Sequence, residues 1–376
     1  MRNRTTVVFL AAALALSVGN AAAVPYTFTN IADTSGPFNF VAGTFVNNTG
    51  TVAFVGALDT GGQGIFTGSG GPITTIADSS GPFEIFLGGV SVNDSGTVAF
   101  SAGLDMGGQG IFTGSGGPTT TLYDSSGPFE SFGNVTLNNS GTVAFDANLE
   151  TGIFTGSGGP TTTIADTSGT LGSLGLPSLN DSGTVAFRAI LDTGGQGIFT
   201  GSGGPITTIA DTSGPFSFVI GPSLNNSGMV AFLADLDTGG HGIFTGIGGP
   251  ITTIVDTNSG PFDFLGGPSL NNSGTVAFSA ILDTGGEGIF TGPDPLADEV
   301  IGTGDRLFGS TVAFVQTSTE SLNDTGQIAF SYQLADGRFG IARADPLVTP
   351  APEPGTLPLL VAGLLGAVLW FKGKST

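Results

Sequence analysis

From Leu179 onward, apolar and polar residues alternate in a way that reads as short strands separated by turns. Asn180-Asp181-Ser182-Gly183 is a turn, Thr184 to Leu191 a strand, Asp192 to Gly197 a second turn, Ile198-Phe199-Thr200 the start of another strand, and Ile206 to Ala210 the next. An Asn side chain can bond the backbone two residues on, and glycine accepts the positive φ of hairpin loops. Along the first strand Val185, Phe187, Ala189 and Leu191 share one face by the two-residue period, with Ala186, Arg188 and Ile190 on the other. In sister copies the second face holds Ala53, Val55 and Ala57, or Ala277, Ser279 and Ile281. A strand clothed on both faces in small or apolar residues belongs between stacked sheets.

This unit recurs seven times as Asn-x-x-Gly-x-x-Ala-Phe, with its glycine at Gly50, Gly96, Gly141, Gly183, Gly228, Gly274 and Gly326. Spacings of 42 to 52 residues are those of solenoids, propellers or arrays. The motif Phe recurs from Phe54 to Phe330, and a Leu follows four residues later each time, from Leu58 to Leu334. These are core positions, each contributing roughly 1.5–3 kcal/mol on burial. The ends of the repeat region decide the architecture. Tyr26 to Asp33 matches the last strand of a unit such as Ile73 to Asp78, whereas Gly340-Ile341-Ala342-Arg343 matches the strand before it. One unit is therefore split between the ends, and pairing them closes a ring. The expected fold is an all-β seven-bladed β-propeller over residues 24–346. The alternative, a parallel β-solenoid, would need capping units instead. The repeated motif resembles that of bacterial tandem NxxGxxAF-repeat proteins, a resemblance that spans all seven copies and implies no activity.

Composition agrees with an all-β chain: 39% apolar residues, 66 Gly, 21 Pro and 30 Phe. There is no Cys, hence no disulfide or thiol nucleophile. Between Val24 and Pro350 four arginines (Arg188, Arg306, Arg338, Arg343) face 28 acidic residues, a surface that repels nucleic-acid phosphates.

The two termini read as addresses. Arg2 and Arg4, the apolar run Val7 to Val18 and the small residues before Ala23 have the layout of a signal peptide, 1–23, with cleavage after Ala23. At the other end a Pro-rich linker, 347–356, contains Pro352-Glu353-Pro354. An uncharged hydrophobic helix is expected at 357–371, and 372–376 form a basic cytoplasmic tail held inside by Lys372 and Lys374. The triplet, apolar segment and basic end, in that order, resemble the PEP-CTERM sorting signal. That resemblance implies an exosortase-like processing protease as partner, transient anchorage in the inner membrane of a Gram-negative bacterium, and release to the cell surface or matrix.

Chemistry-bearing residues are few. His241, the lone histidine, stands where sister copies have Gln63, Gln109, Gln196 and Glu287, and the third copy omits that stretch between Glu150 and Gly152. Asp59, Asp105, Asp192, Asp237 and Asp283 precede glycine pairs, while Asp33, Asp78, Asp124, Asp166, Asp211 and Asp256 end strands. Both sets suit turns, with calcium as the alternative occupant of their oxygens. Glycine stretches such as Gly68-Ser69-Gly70-Gly71 have no following lysine and open no helix, so they are not phosphate loops. Pro293 to Glu320 is the least repetitive region, with Asp298, Glu299, Asp305, Arg306 and Glu320 lacking counterparts.

No catalytic residue, cofactor site or metal site is expected. The near-identical units suit many weak equivalent contacts, so the expected role is non-catalytic binding or structure at the cell surface, with extracellular polysaccharide as ligand. The competing expectation is a secreted polysaccharide hydrolase or lyase using carboxylates around the axis, such as Asp235, Asp263 or Glu299.

Overall fold

A computed structural model describes residues 25–347 except Leu149. The expected signal peptide with Ala23, the Pro352-Glu353-Pro354 motif and the segments 357–371 and 372–376 lie outside the described residues, as does one of the seven repeated leucines. Among the described residues no helix is long and apolar enough to cross a membrane.

Seven antiparallel sheets follow one another, and each is a blade. Blade 1 consists of Phe38–Val46, Val52–Leu58, Gln63–Gly68 and Thr74–Asp78, paired in that order. Blades 2 to 6 repeat the arrangement over residues 83–124, 132–166, 171–211, 216–256 and 262–302. Blade 7 takes Ser310–Gln316, Ile328–Leu334 and Phe339–Pro346 from the far end of the chain and its outermost strand, Tyr26–Asp33, from the near end. Tyr26 lies opposite Pro346 and Asp33 opposite Gly340, so the ring closes as the split unit requires and the solenoid is excluded. The strand expected at Thr184 to Leu191 is the second strand of blade 4, Val185–Leu191, starting one residue later. The third begins earlier, at Gln196, because that residue pairs with Ile190 and extends the ladder into the anticipated turn.

The core lies between blades. One cluster joins Ala53, Ile65 and Ile76 of blade 1 to Phe83, Val98 and Phe100 of blade 2, and six others repeat this around the ring. All seven motif phenylalanines are fully buried. In six blades the motif Phe lies opposite a Phe of the third strand, as Phe54 does Phe66, with ring centroids 5.7 Å apart. In blade 1 Phe38 of the first strand closes an aromatic triad edge-on, 5.0 Å from Phe66. Such pairs add about 0.5–1.5 kcal/mol beyond area burial. The leucines four residues on are less buried than expected: among the described ones only Leu334 is fully in the core, and the others are partly buried and pack against its edge.

Candidate binding face

The motif turns join first and second strands, and their residues encircle a polar cup on the propeller axis. In blade 1 the Asn47 Oδ1 accepts the amides of Thr49 (3.1 Å) and Thr51 (2.9 Å), while Gly50, at φ +79°, completes the turn. The other end of the same side chain leaves the blade: Asn47 Nδ2 donates to the Asn93 carbonyl (2.8 Å). That bond is repeated from blade to blade until Asn323 Nδ2 donates to the Asn47 carbonyl (2.8 Å). Aspartate could cap the turn but has no donor for the second task, so the residue type follows from the geometry.

A second closed ring runs through the next motif position, where each backbone amide donates to the Oδ1 of the following blade, from Asn48 to Asp94 (2.8 Å) round to Asp324 to Asn48 (2.9 Å). Three of its seven members are acidic, Asp94, Asp181 and Asp324, and an amide residue flanks each on both sides. Three is the largest number a seven-membered ring can hold without two being adjacent. Partial burial acts to raise the Asp181 carboxyl, but the hydrogen bonds from Asn139 and Asn226 outweigh it and hold the group below its ordinary range. Side-chain and backbone groups of this face satisfy one another.

The opposite face, where second strands turn into third, differs from blade to blade. Here, at several junctions, a side chain near the start of a first strand meets a second- or third-strand residue of the preceding blade, forming a notch. Phe40 stacks on Phe339 (5.9 Å), and Phe264 lies against His241 (5.4 Å). Phe218 lies under Arg188 (5.2 Å), which also binds Gln196 Oε1. His241 Nε2 accepts the Leu265 amide (2.9 Å). In the last notch Phe264, Phe314 and Glu287 border a cleft of about 100 Å³, and the buried Glu287 Oε2 has no hydrogen-bond partner among the described residues. Phe40 and Phe264 are each about half exposed (50% and 51%), so each presents an apolar ring face to solvent at its notch.

Blade 3 carries the most distinct notch. Deletion of the glycine turn leaves Asn148 and Glu150 at positive φ and opens a cleft of about 390 Å³ beside Asp146. Asp146 stands directly after the motif Phe and is buried. Its Oδ1 accepts the Asn134 amide (2.9 Å) and Nδ2 (3.1 Å). Burial, helped by the negative charge of Glu150 and opposed by those bonds, pushes Asp146 up to about 6. Sequence reading missed this residue. The signal was present in its column, which reads Val55, Ser101, Asp146, Arg188, Leu233, Ser279 and Ser331: the two charged members each mark a special notch.

Between the two faces the axis widens into a cavity of about 300 Å³ lined by first-strand residues, among them Phe45, Leu176 and Ile220, and by Glu320. Burial pushes Glu320 up to about 7, against a hydrogen bond from Ser91 Oγ (2.8 Å).

The remaining sequence candidates are turn residues. Asp59 donates its amide to the Pro37 carbonyl (3.0 Å), and its counterparts repeat that bond. The strand-ending aspartates accept from their own turns, as Asp78 does from the Ser80 amide (2.9 Å). Asp124 and Asp166 are held below the usual carboxylate range by the side-chain hydroxyls of Ser126 and Ser168. No group of three or more His, Asp or Glu side chains among the described residues could hold a metal. None of the carboxylates expected around the axis lines the polar cup or the axial cavity. Asp235 is on a second strand and Asp263 on a first strand, both exposed. Glu299 is on the outermost strand of blade 6, three strand spacings, about 14 Å, from that of Asp263. Its place after the blade 6 loop puts it at the rim, and burial together with the charge of Asp305 raises its carboxyl.

A family model described as a family of unknown function (DUF7453) matches residues 12–255 and 155–357. No curated protein matches. Among solved structures the chain is similar to an oligogalacturonate lyase from Vibrio parahaemolyticus, at 12% identity and TM-score 0.55, over 88% of this chain and 99% of that one. It is also similar to the β-propeller domain of the Trilobed protease from Pyrococcus furiosus, at 9% identity and TM-score 0.54, over 85% and 99%. That domain has an open velcro topology, whereas the ring here is closed by its first and last strands. Such likeness carries the fold alone.

Proposed function

We propose, for a chain that belongs to the DUF7453 family, a non-catalytic role: an exported propeller whose notched face binds extracellular polysaccharide. The observation that carries this reading is the last notch, where half-exposed Phe264 borders a buried, unpartnered carboxylate oxygen of Glu287. A sugar ring offers both complements, an apolar C–H face for the phenyl group and hydroxyl donors for the acceptor. A buried unpartnered acceptor costs about 1–3 kcal/mol, which a ligand hydroxyl would recover. Related notches around the ring allow one polymer chain to make several weak contacts at once, so that avidity replaces a single deep site. Export through the 1–23 segment and processing by an exosortase-like protease at Pro352-Glu353-Pro354 accord with this role and belong to the same proposal.

A second reading, a polysaccharide hydrolase or lyase, draws on Asp146 and Glu150. Here a carboxyl raised toward neutrality faces a second carboxylate in a cleft, the pairing from which acid and base roles arise. Co-sedimentation of the secreted protein with the producing strain's exopolysaccharide distinguishes the two. Binding that weakens at least tenfold in the double variant Phe40→Ala/Phe264→Ala, with polymer length unchanged after incubation, supports the binding role. Shortening of the polymer that disappears in Asp146→Asn would replace it with the enzymatic one.

A further inference from the structure

The axial cavity is separate from the notches and differs from them in chemistry. Five blades contribute first-strand residues to it, and the first strands of blades 1, 2, 4 and 5 are bulged there, between Ala42 and Phe45, Phe86 and Val90, Gly175 and Ser178, and Ile220 and Ser223. Bulges re-aim side chains. One of them holds Leu176 at φ +57°, a left-handed conformation that a leucine adopts only under constraint, and leaves its side chain 40% exposed on the cavity wall. On the neighbouring blade 3 Thr136 also lines the cavity, buried, and its Oγ1 has no hydrogen-bond partner among the described residues.

Against these apolar walls stands one carboxylate. Among the described residues Glu320 is the only titratable side chain lining the cavity, and none that lines it is basic. Its Oε2 is oriented by Ser91 Oγ, whose own position is fixed by accepting the Leu137 amide (3.0 Å). The Glu320 carbonyl accepts the Val46 amide (3.0 Å), so the backbone that carries the acid is fixed as well. A lone anion facing an apolar space of this size, at the lower end of ligand-pocket volumes, lacks only a counter-charge.

We infer that the axial cavity is a binding site for a small organic cation with an apolar body, a primary or quaternary alkylammonium, whose charge pairs with Glu320 while its alkyl part packs on Phe45, Leu176 and Ile220. The Phe45 ring adds a face that attracts such a cation, and Thr136 Oγ1 provides an acceptor for an ammonium N–H. The site does not depend on polysaccharide binding.

Isothermal titration of the secreted full-length protein at pH 8 with n-butylammonium, butan-1-ol and butanoate tests this. The expected result is saturable binding of n-butylammonium at least tenfold tighter than that of butan-1-ol, no binding of butanoate, and loss of the ammonium preference in Glu320→Gln. Equal affinities for butylammonium and butanol, or an unchanged preference in Glu320→Gln, overturn the proposal. Should Glu320→Gln fail to fold, Leu176→Trp, which fills the cavity and leaves the acid in the sequence, replaces it. Retention of butylammonium binding in that variant also overturns the proposal.

Discussion

Asn323 Nδ2 donates to the backbone carbonyl of Asn47 at 2.8 Å, although 276 positions separate the two residues. That bond closes a circle of seven, and the strand pairing of Tyr26–Asp33 with Phe339–Pro346 closes the same blade at its outer edge. The ring is thus fastened twice, near the axis by amide side chains and at the rim by a β-ladder.

Breaking the inner fastening affects two partners at once. Asn323→Ala removes the turn cap, leaving the Thr325 and Gln327 amides without Oδ1, and it strands the Asn47 carbonyl. The bond to the Asn47 carbonyl is buried and the two turn bonds are part-buried, so a loss of about 2–4 kcal/mol is expected at roughly 1–3 kcal/mol per fully buried unsatisfied group and less for the turn amides. Asn323→Asp should recover part of this loss, since it restores the cap but not the donor. Urea unfolding midpoints of the three proteins measure the order; a variant with Asp as stable as wild type would refute the donor's role.

The alternation of acid and amide in the neighbouring ring makes a sharper prediction. Asn226→Asp places a carboxylate beside Asp181, loses the Nδ2 donation to Asp181 Oδ2 (2.9 Å), and sets two like charges side by side. Asn139→Asp would do the same on the other side of Asp181. Each should destabilise the protein by about 1–2 kcal/mol at pH 7 in low salt, and the loss should shrink when the pH falls below 4 or the salt rises to 1 M. Chemical denaturation under those three conditions measures it.

Phe187 is a measure of fold rather than of function. It is fully buried and packs on Phe199 (5.9 Å). Phe187→Ala should cost about 3–5 kcal/mol while leaving both polysaccharide and alkylammonium binding intact at temperatures where the variant stays folded. Selective loss of binding in a folded variant would contradict that separation.

These cases also show what could be read from the chain beforehand. The turn, the buried Phe and the split unit were legible because each is written in local residues: a two-residue period, an Asx turn, a strand matched to its sister copies. The first strands carry no such signature, since bulges such as that between Ala42 and Phe45 interrupt the period. The outward reach of the motif Asn was hidden for another reason. Six of the seven bonds span 42 to 52 residues and the seventh spans 276, and only the packing of each blade on the next brings the partners together. Asp146 and Arg188 stood out in their column of the repeat, but what makes them special is the notch, which forms between blades.

The pH dependence of stability follows from groups of opposite sign. Glu320, raised from 4.5 to about 7, and Asp146, raised from 3.8 to about 6, bind their protons more tightly in the folded protein than in the unfolded chain. The stability they confer is complete below pH 4 and is lost as pH rises through about 6 and then about 7. Shifts of this size correspond to roughly 3 kcal/mol each. Asp181 and Asp345 work the other way, because hydrogen bonds, and for Asp345 also the Arg343 guanidinium, outweigh burial and lower their carboxyls. Their contribution is present above the ordinary aspartate range and disappears as pH falls through their folded values. The unfolding midpoint should therefore be greatest near pH 4 to 5 and should decline toward pH 8. In Glu320→Gln the decline between about pH 4.5 and 7 should flatten, and in Asp146→Asn the decline between about pH 4 and 6, leaving each variant more stable than wild type at pH 8. A wild-type midpoint that rises from pH 5 to pH 8 would show that these two carboxyls ionise freely in the folded ring, with solvent reaching both.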